Sequence, residues 1–129
     1  MTEVHHVVFD HCDFSGSTDE TFDMTLSNDF TVQWSTIANS DPSGQNYGSL
    51  IAYPPTANVS WHHNLSAHHG GRCEPHMHWG EGVEGDVVID FRNNVDYNCT
   101  FDALMYLDSP PVMPHPTADA GAATHTHVR

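Results

Sequence analysis

The stretch Cys73-Glu74-Pro75-His76-Met77-His78-Trp79-Gly80 holds the residues whose types and spacing best suit chemistry. On an extended strand, residues i and i+2 leave on the same face. His76 and His78 therefore point the same way, about 6–7 Å apart. Met77 and Trp79 leave on the opposite face, where they can anchor in a core. Neutral imidazole is a ligand for Zn, Fe, Ni or Cu, and a rigid strand is a good place to hold one. A single strand supplies only two ligands. Three chains meeting on an axis would supply six nitrogens and leave no open coordination position. Such a site clamps subunits, because catalysis by a metal needs an open position. If one chain acts alone, the second choices for completing the site are His62, His63, His68, His69 and Glu81, with Glu84 behind them.

Other chemistry has weaker footing. No Gly-x-Ser-x-Gly elbow is present. Cys12 follows His11 directly, and adjacent residues of a strand face opposite ways. Asp19-Glu20 reads as a solvated turn. Gly80, Gly82 and Gly85 lack the strand-then-helix setting of a phosphate loop. The three cysteines leave one over: Cys73 and Cys99 can pair if their strands are neighbours, or Cys12 or Cys73 can ligate a metal. Trp34, Trp61 and Trp79 read first as core or interface anchors and second as a sugar platform.

The elements that must position these residues read as strands. Residues 21–27 and 30–34 alternate apolar and polar around Asn28-Asp29, the pattern of an antiparallel β-hairpin. Residues 1–12, with Val4, Val7, Val8 and Phe9, read as a short strand or a docking arm, and strands are also expected over residues 50–53, 59–61, 87–92 and 97–107. Residues 38–48 and the His-rich 62–72 read as loops, and Asn93-Asn94 as a turn. No segment keeps a helical period over eleven residues, and no internal repeat stands out. The reading is an all-β fold, a single β-sandwich or jelly roll, with three regions. Residues 1–20 form an N-terminal arm and turn, 21–108 the core, and 109–129 a Pro-rich C-terminal arm.

Composition bounds the partners. The 129 residues include no lysine, three arginines, seventeen acidic residues and twelve histidines, a net charge of −14. That surface repels nucleic acid and anionic membranes. No apolar run approaches the length of a membrane-spanning helix, and the N-terminus lacks a signal-peptide pattern. Hydrophobic content of 38% is low for a chain that must bury its own core, and burial between subunits would relieve the shortage.

Pro75-His76-Met77-His78-Trp79, followed by the alternating Asp86–Phe91, resembles a PHxHW signature of small phage and prophage structural proteins. The resemblance covers residues 73–107. It implies a β-rich virion component of the tail, fibre or capsid surface. Such a component assembles as a homotrimer with other virion proteins, with His76 and His78 on a shared metal, Zn or Fe. A host-surface glycan is a further possible partner, and the location is the virion or another extracellular particle. A second likeness is to the cupin barrel: Gly70, five residues, then His76 and His78, with His115 or His125 as a late third ligand. It implies a metal-dependent enzyme. The acidic residue falls at the wrong spacing, at Glu81 or Glu84, so the expected role is structural and not enzymatic.

Overall fold

The computed structural model describes residues 1–52, 57–78, 87–100, 106–107 and 126–128. Every ladder among them is parallel, and no described segment is helical. The first sheet holds β1 (His5–Asp10), β4 (Asn28–Gln33), β7 (Ala57–His62) and β10 (Val87–Arg92). The second holds β2 (Asp13–Ser15), β5 (Thr36–Ala38), β8 (Leu65–Ala67), β11 (Val95–Tyr97) and β13 (Thr126–Val128). The third holds β3 (Glu20–Thr25), β6 (Tyr47–Ala52), β9 (His76–His78) and β12 (Tyr106–Leu107). The chain visits the three sheets in turn and then begins again beside its own start. Parallel neighbours need a long return connection, and here the return is the rest of one coil.

Val7 sits beside Phe30, Phe30 beside Val59 and Val59 beside Ile89, so successive coils advance by 23, 29 and 30 residues. The first corner always takes two residues: His11-Cys12, Trp34-Ser35, His63-Asn64 and Asn93-Asn94. Its first residue is left-handed each time, with φ of 53°, 49°, 57° and 53°. Its second residue feeds a hydrogen-bond ladder running from coil to coil. The Cys12 amide donates to Ser35 Oγ (3.1 Å), the Ser35 amide to Asn64 Oδ1 (3.0 Å) and the Asn64 amide to Asn94 Oδ1 (3.0 Å). Asn64 Nδ2 donates to the Val32 carbonyl (2.9 Å) and Asn94 Nδ2 to the Trp61 carbonyl (3.0 Å). A tight corner leaves backbone groups without ladder partners, and the small polar side chains satisfy them.

Inside the coil, Phe22, Met24, Phe30, Val32, Ile37, Ile51, Val59, Trp61 and Met77 form one buried cluster. Phe22 meets Trp61 edge to face at 5.3 Å and Phe14 at 5.1 Å, the geometry that aromatic quadrupoles favour. Val7, Phe9 and Phe14 pack on the same cluster, so residues 1–20, expected as an arm and turn, supply two strands of the first coil.

The all-β expectation holds, but the pairing differs from that of a sandwich or jelly roll. The hairpin expected across Asn28-Asp29 does not form: β3 pairs with β6, while β4 pairs with β1 and β7. Leu26, at φ 51°, turns the chain onto the next face instead of back on itself. The repeat that the sequence conceals is the coil. The His-rich 62–72 contains β8, and the long strand expected over 97–107 breaks at Asn98, where φ is 52°. Within the expected C-terminal arm, only residues 126–128 are described, as β13 beside β11.

Candidate functional site

The second corner builds the site. Its left-handed residues are Gly16, Asn39, His68 and Asn98, with φ of 75°, 57°, 59° and 52°. Each follows a strand of the second sheet, so the four stand in a row up the outside of the coil. After β5 and β8 the chain does not turn at once but throws out longer loops, residues 39–46 and 68–75. Between the row and these loops lies a groove of about 660 Å³. It is lined by polar groups, chiefly Asn39, Ser40, Asn46, His68, Asn98 and Thr100. Loop 39–46 is held down at Gly44, where a side chain would strike the Thr18 carbonyl.

The groove's side chains are ordered by one another. Asn98 Nδ2 donates to His68 Nδ1 at 2.7 Å. An amide nitrogen can only donate, so Nδ1 accepts and His68 carries its proton on Nε2. Tyr97 is exposed and meets the His68 ring edge-on at 5.4 Å. Asp41 lines the groove too, but its Oδ1 accepts from the Ser43 amide (2.8 Å) and hydroxyl (2.7 Å), and these bonds hold its carboxyl below the usual range. His69 turns inward and is 3% exposed. Its Nε2 donates to the Ile37 carbonyl and its Nδ1 lies against Ser40 Oγ, both at 2.9 Å. Burial pushes His69 below the ordinary imidazole range. Cys73 is bridged to Cys99, with Cα atoms 6.2 Å apart, tying loop 68–75 to the next coil, and Cys12 is free.

The residues expected to hold a metal are dispersed by this geometry. His76 lies on β9 beside Leu50, while Met77 enters the core. His76 is 5% exposed within the single chain. His78 ends β9 beside Ala52. His62 ends β7 and His63 opens the first corner, on another edge of the coil. Asn93 Nδ2 donates to His63 Nε2 (3.2 Å), so His63 donates from Nδ1 to His62 Nδ1 (3.0 Å). Burial, then the nearby Arg92, lowers the pKa of His62. His69 has both ring nitrogens engaged. Among the described residues no three His, Cys, Asp or Glu converge as a metal site. Glu81, Glu84, Trp79, His115 and His125 lie outside the described residues.

Trp61 is a core anchor as expected. Trp34 is not: it stands 53% exposed at the first corner. His63 stacks on it at 4.2 Å and His11 flanks it at 6.3 Å. Sequence reasoning missed Asn39, Ser40, Asn46 and Asn98. The signal was there in the recurrence of a polar residue one place after a short strand, but the unequal coil lengths hide it. No protein-family model matches the chain, and comparisons with characterised proteins and with solved structures return no match.

Proposed function

We propose that this chain is an extracellular structural module, of the kind carried on a virion surface, that recognises a neutral, hydroxyl-rich ligand such as a glycan. The observation that carries the reading is the second-corner groove. Its size is that of a small-ligand cleft, ~300–1,000 Å³. The amides, hydroxyls and imidazole of Asn39, Ser40, Asn46, His68, Asn98 and Thr100 line it beside Pro42, and these are donors and acceptors that sugar hydroxyls pair with. Among the described residues no arginine lines it, and the chain has no lysine, so an anionic ligand would find repulsion from a net charge of −14. Its carboxylate, Asp41, is already committed to Ser43, which disfavours a cation.

The scaffold fits the same reading. A coil whose turns are locked by side-chain ladders presents the groove on rigid elements, and preorganisation lowers the entropic cost of binding. A disulfide between coils suits an oxidising, extracellular setting. An array of neutral and acidic oligosaccharides tests it. Selective capture by neutral glycans, weakened several-fold to about tenfold by Asn98→Ala as one ligand hydrogen bond is lost, is the expected result. Capture of acidic glycans alone, or capture untouched by Asn98→Ala and His68→Ala, would overturn it.

A further inference from the structure

We propose that His69, acting through Ser40, sets which end of the Asn46 side-chain amide faces the groove. A ligand would then meet an acceptor when His69 is neutral and a donor when it is protonated. The inference rests on reading the groove as a binding site, and names Asn46 as its specificity-determining residue.

One chain of contacts fixes where each proton can sit. His69 Nε2 faces the Ile37 carbonyl at 2.9 Å, and a carbonyl only accepts, so Nε2 carries a hydrogen in every state. Ser40 Oγ touches two partners, His69 Nδ1 at 2.9 Å and Asn46 Oδ1 at 2.7 Å, and has one hydrogen to give. With the amide oxygen towards Ser40, that hydrogen goes to Asn46, and Nδ1 must itself donate to Ser40. This is the arrangement of an imidazolium. A neutral His69 leaves Nδ1 as a bare acceptor, which takes the Ser40 hydrogen. Ser40 Oγ then needs a donor from Asn46, and the amide meets that need by turning end for end. Its oxygen and nitrogen ends have nearly the same shape, so the turn costs little packing. Asn46 and Ser40 both line the groove, so the turn changes what a ligand meets.

The surroundings leave this chain as the route. Gly48 of β6 lies against His69 Cδ2, and the Thr100 amide donates to the His69 carbonyl at 3.2 Å. Tyr47 and Arg72 flank Gly48, but Arg72 packs over the Tyr47 ring and pairs with Glu20. Glu74 is buried further along the same loop as His69. Among the described residues, Asp41 and His68 are the titratable groups that the packed loops bring to the groove beside His69. Asp41 is bonded to Ser43, so His68 is the neighbour whose contribution the test has to separate.

The test follows the ring nitrogens of His69 and the side-chain amide of Asn46 by ¹⁵N NMR from pH 8 down to acid unfolding. The expected result is that the Asn46 amide signals move with the His69 midpoint. They should keep moving in His68→Asn and stand still in Ser40→Ala while His69 still titrates. An Asn46 signal that ignores His69 titration would overturn the proposal. So would one that still follows it in Ser40→Ala, or a His69 that stays neutral until the chain unfolds. No ligand enters this measurement, so failure of the glycan reading on the array is told apart from failure of the coupling.

Discussion

Asn64 stands directly above Ser35 in the first-corner ladder, its Oδ1 accepting the Ser35 amide while its Nδ2 donates to Val32. One side chain thus satisfies a buried donor and a buried acceptor from the neighbouring coil. Replacing it with alanine orphans both. Leaving buried polar groups unpaired costs about 1–3 kcal/mol each, so Asn64→Ala should destabilise the chain by at least about 2 kcal/mol in urea unfolding. Asn64→Asp keeps the acceptor but loses the donor and should also destabilise.

The two described tryptophans should behave oppositely. Trp61 is 2% exposed at the centre of the core, and Trp61→Ala should cost about 3–5 kcal/mol. Trp34 is exposed and sits at φ 49°, a conformation that strains a side-chain-bearing residue by ~1–2 kcal/mol. Trp34→Gly removes that strain along with the His63 stack, so its melting temperature should change little. Thermal unfolding of both variants checks the contrast.

How much of this is legible in the sequence depends on the range of the interaction. Alternation at Phe22/Met24, Phe30/Val32 and Val87–Phe91 marks strands from neighbouring residues alone. It does not say whether a strand pairs with the next one or with one 23 to 30 residues on. The hairpin expectation failed there, because Asn28-Asp29 looks like a hairpin turn while Leu26-Ser27 is the true corner. His76-x-His78 marks a strand with Met77 inward, yet which face is covered depends on loops that no local pattern describes. The groove residues come from three coils and two loops, and only the register brings them together.

Reducing the Cys73–Cys99 bridge should loosen loop 68–75 without unfolding the coil. The bridge closes a separation of 26 residues, and such cross-links contribute about 2–4 kcal/mol. The paired variant Cys73→Ser, Cys99→Ser should unfold at lower urea. Hydrogen exchange should quicken first at residues 68–75 and 98–100.

Acid should destabilise the fold through histidine. Burial lowers the folded-state pKa of His69 and of His62 below 6.5. The unfolded chain therefore binds protons there more readily than the folded one, and stability falls as pH drops below 6.5 towards the folded-state values. Above 6.5 both forms are neutral at these sites and the effect vanishes. Urea midpoints measured at pH 7.5 and pH 5.5 check the sign. His62→Asn, at the more accessible site, should shrink the difference.

Backbone amide shift mapping of the ¹⁵N-labelled chain, titrated with the best neutral oligosaccharide from the array, tests the account most directly. The account predicts saturable shifts concentrated at Asn39, Ser40, Asn46, His68 and Asn98, with the first corner around Trp34 unmoved. Shifts centred on Trp34 and His63, or no saturable shifts with any neutral oligosaccharide, would contradict it.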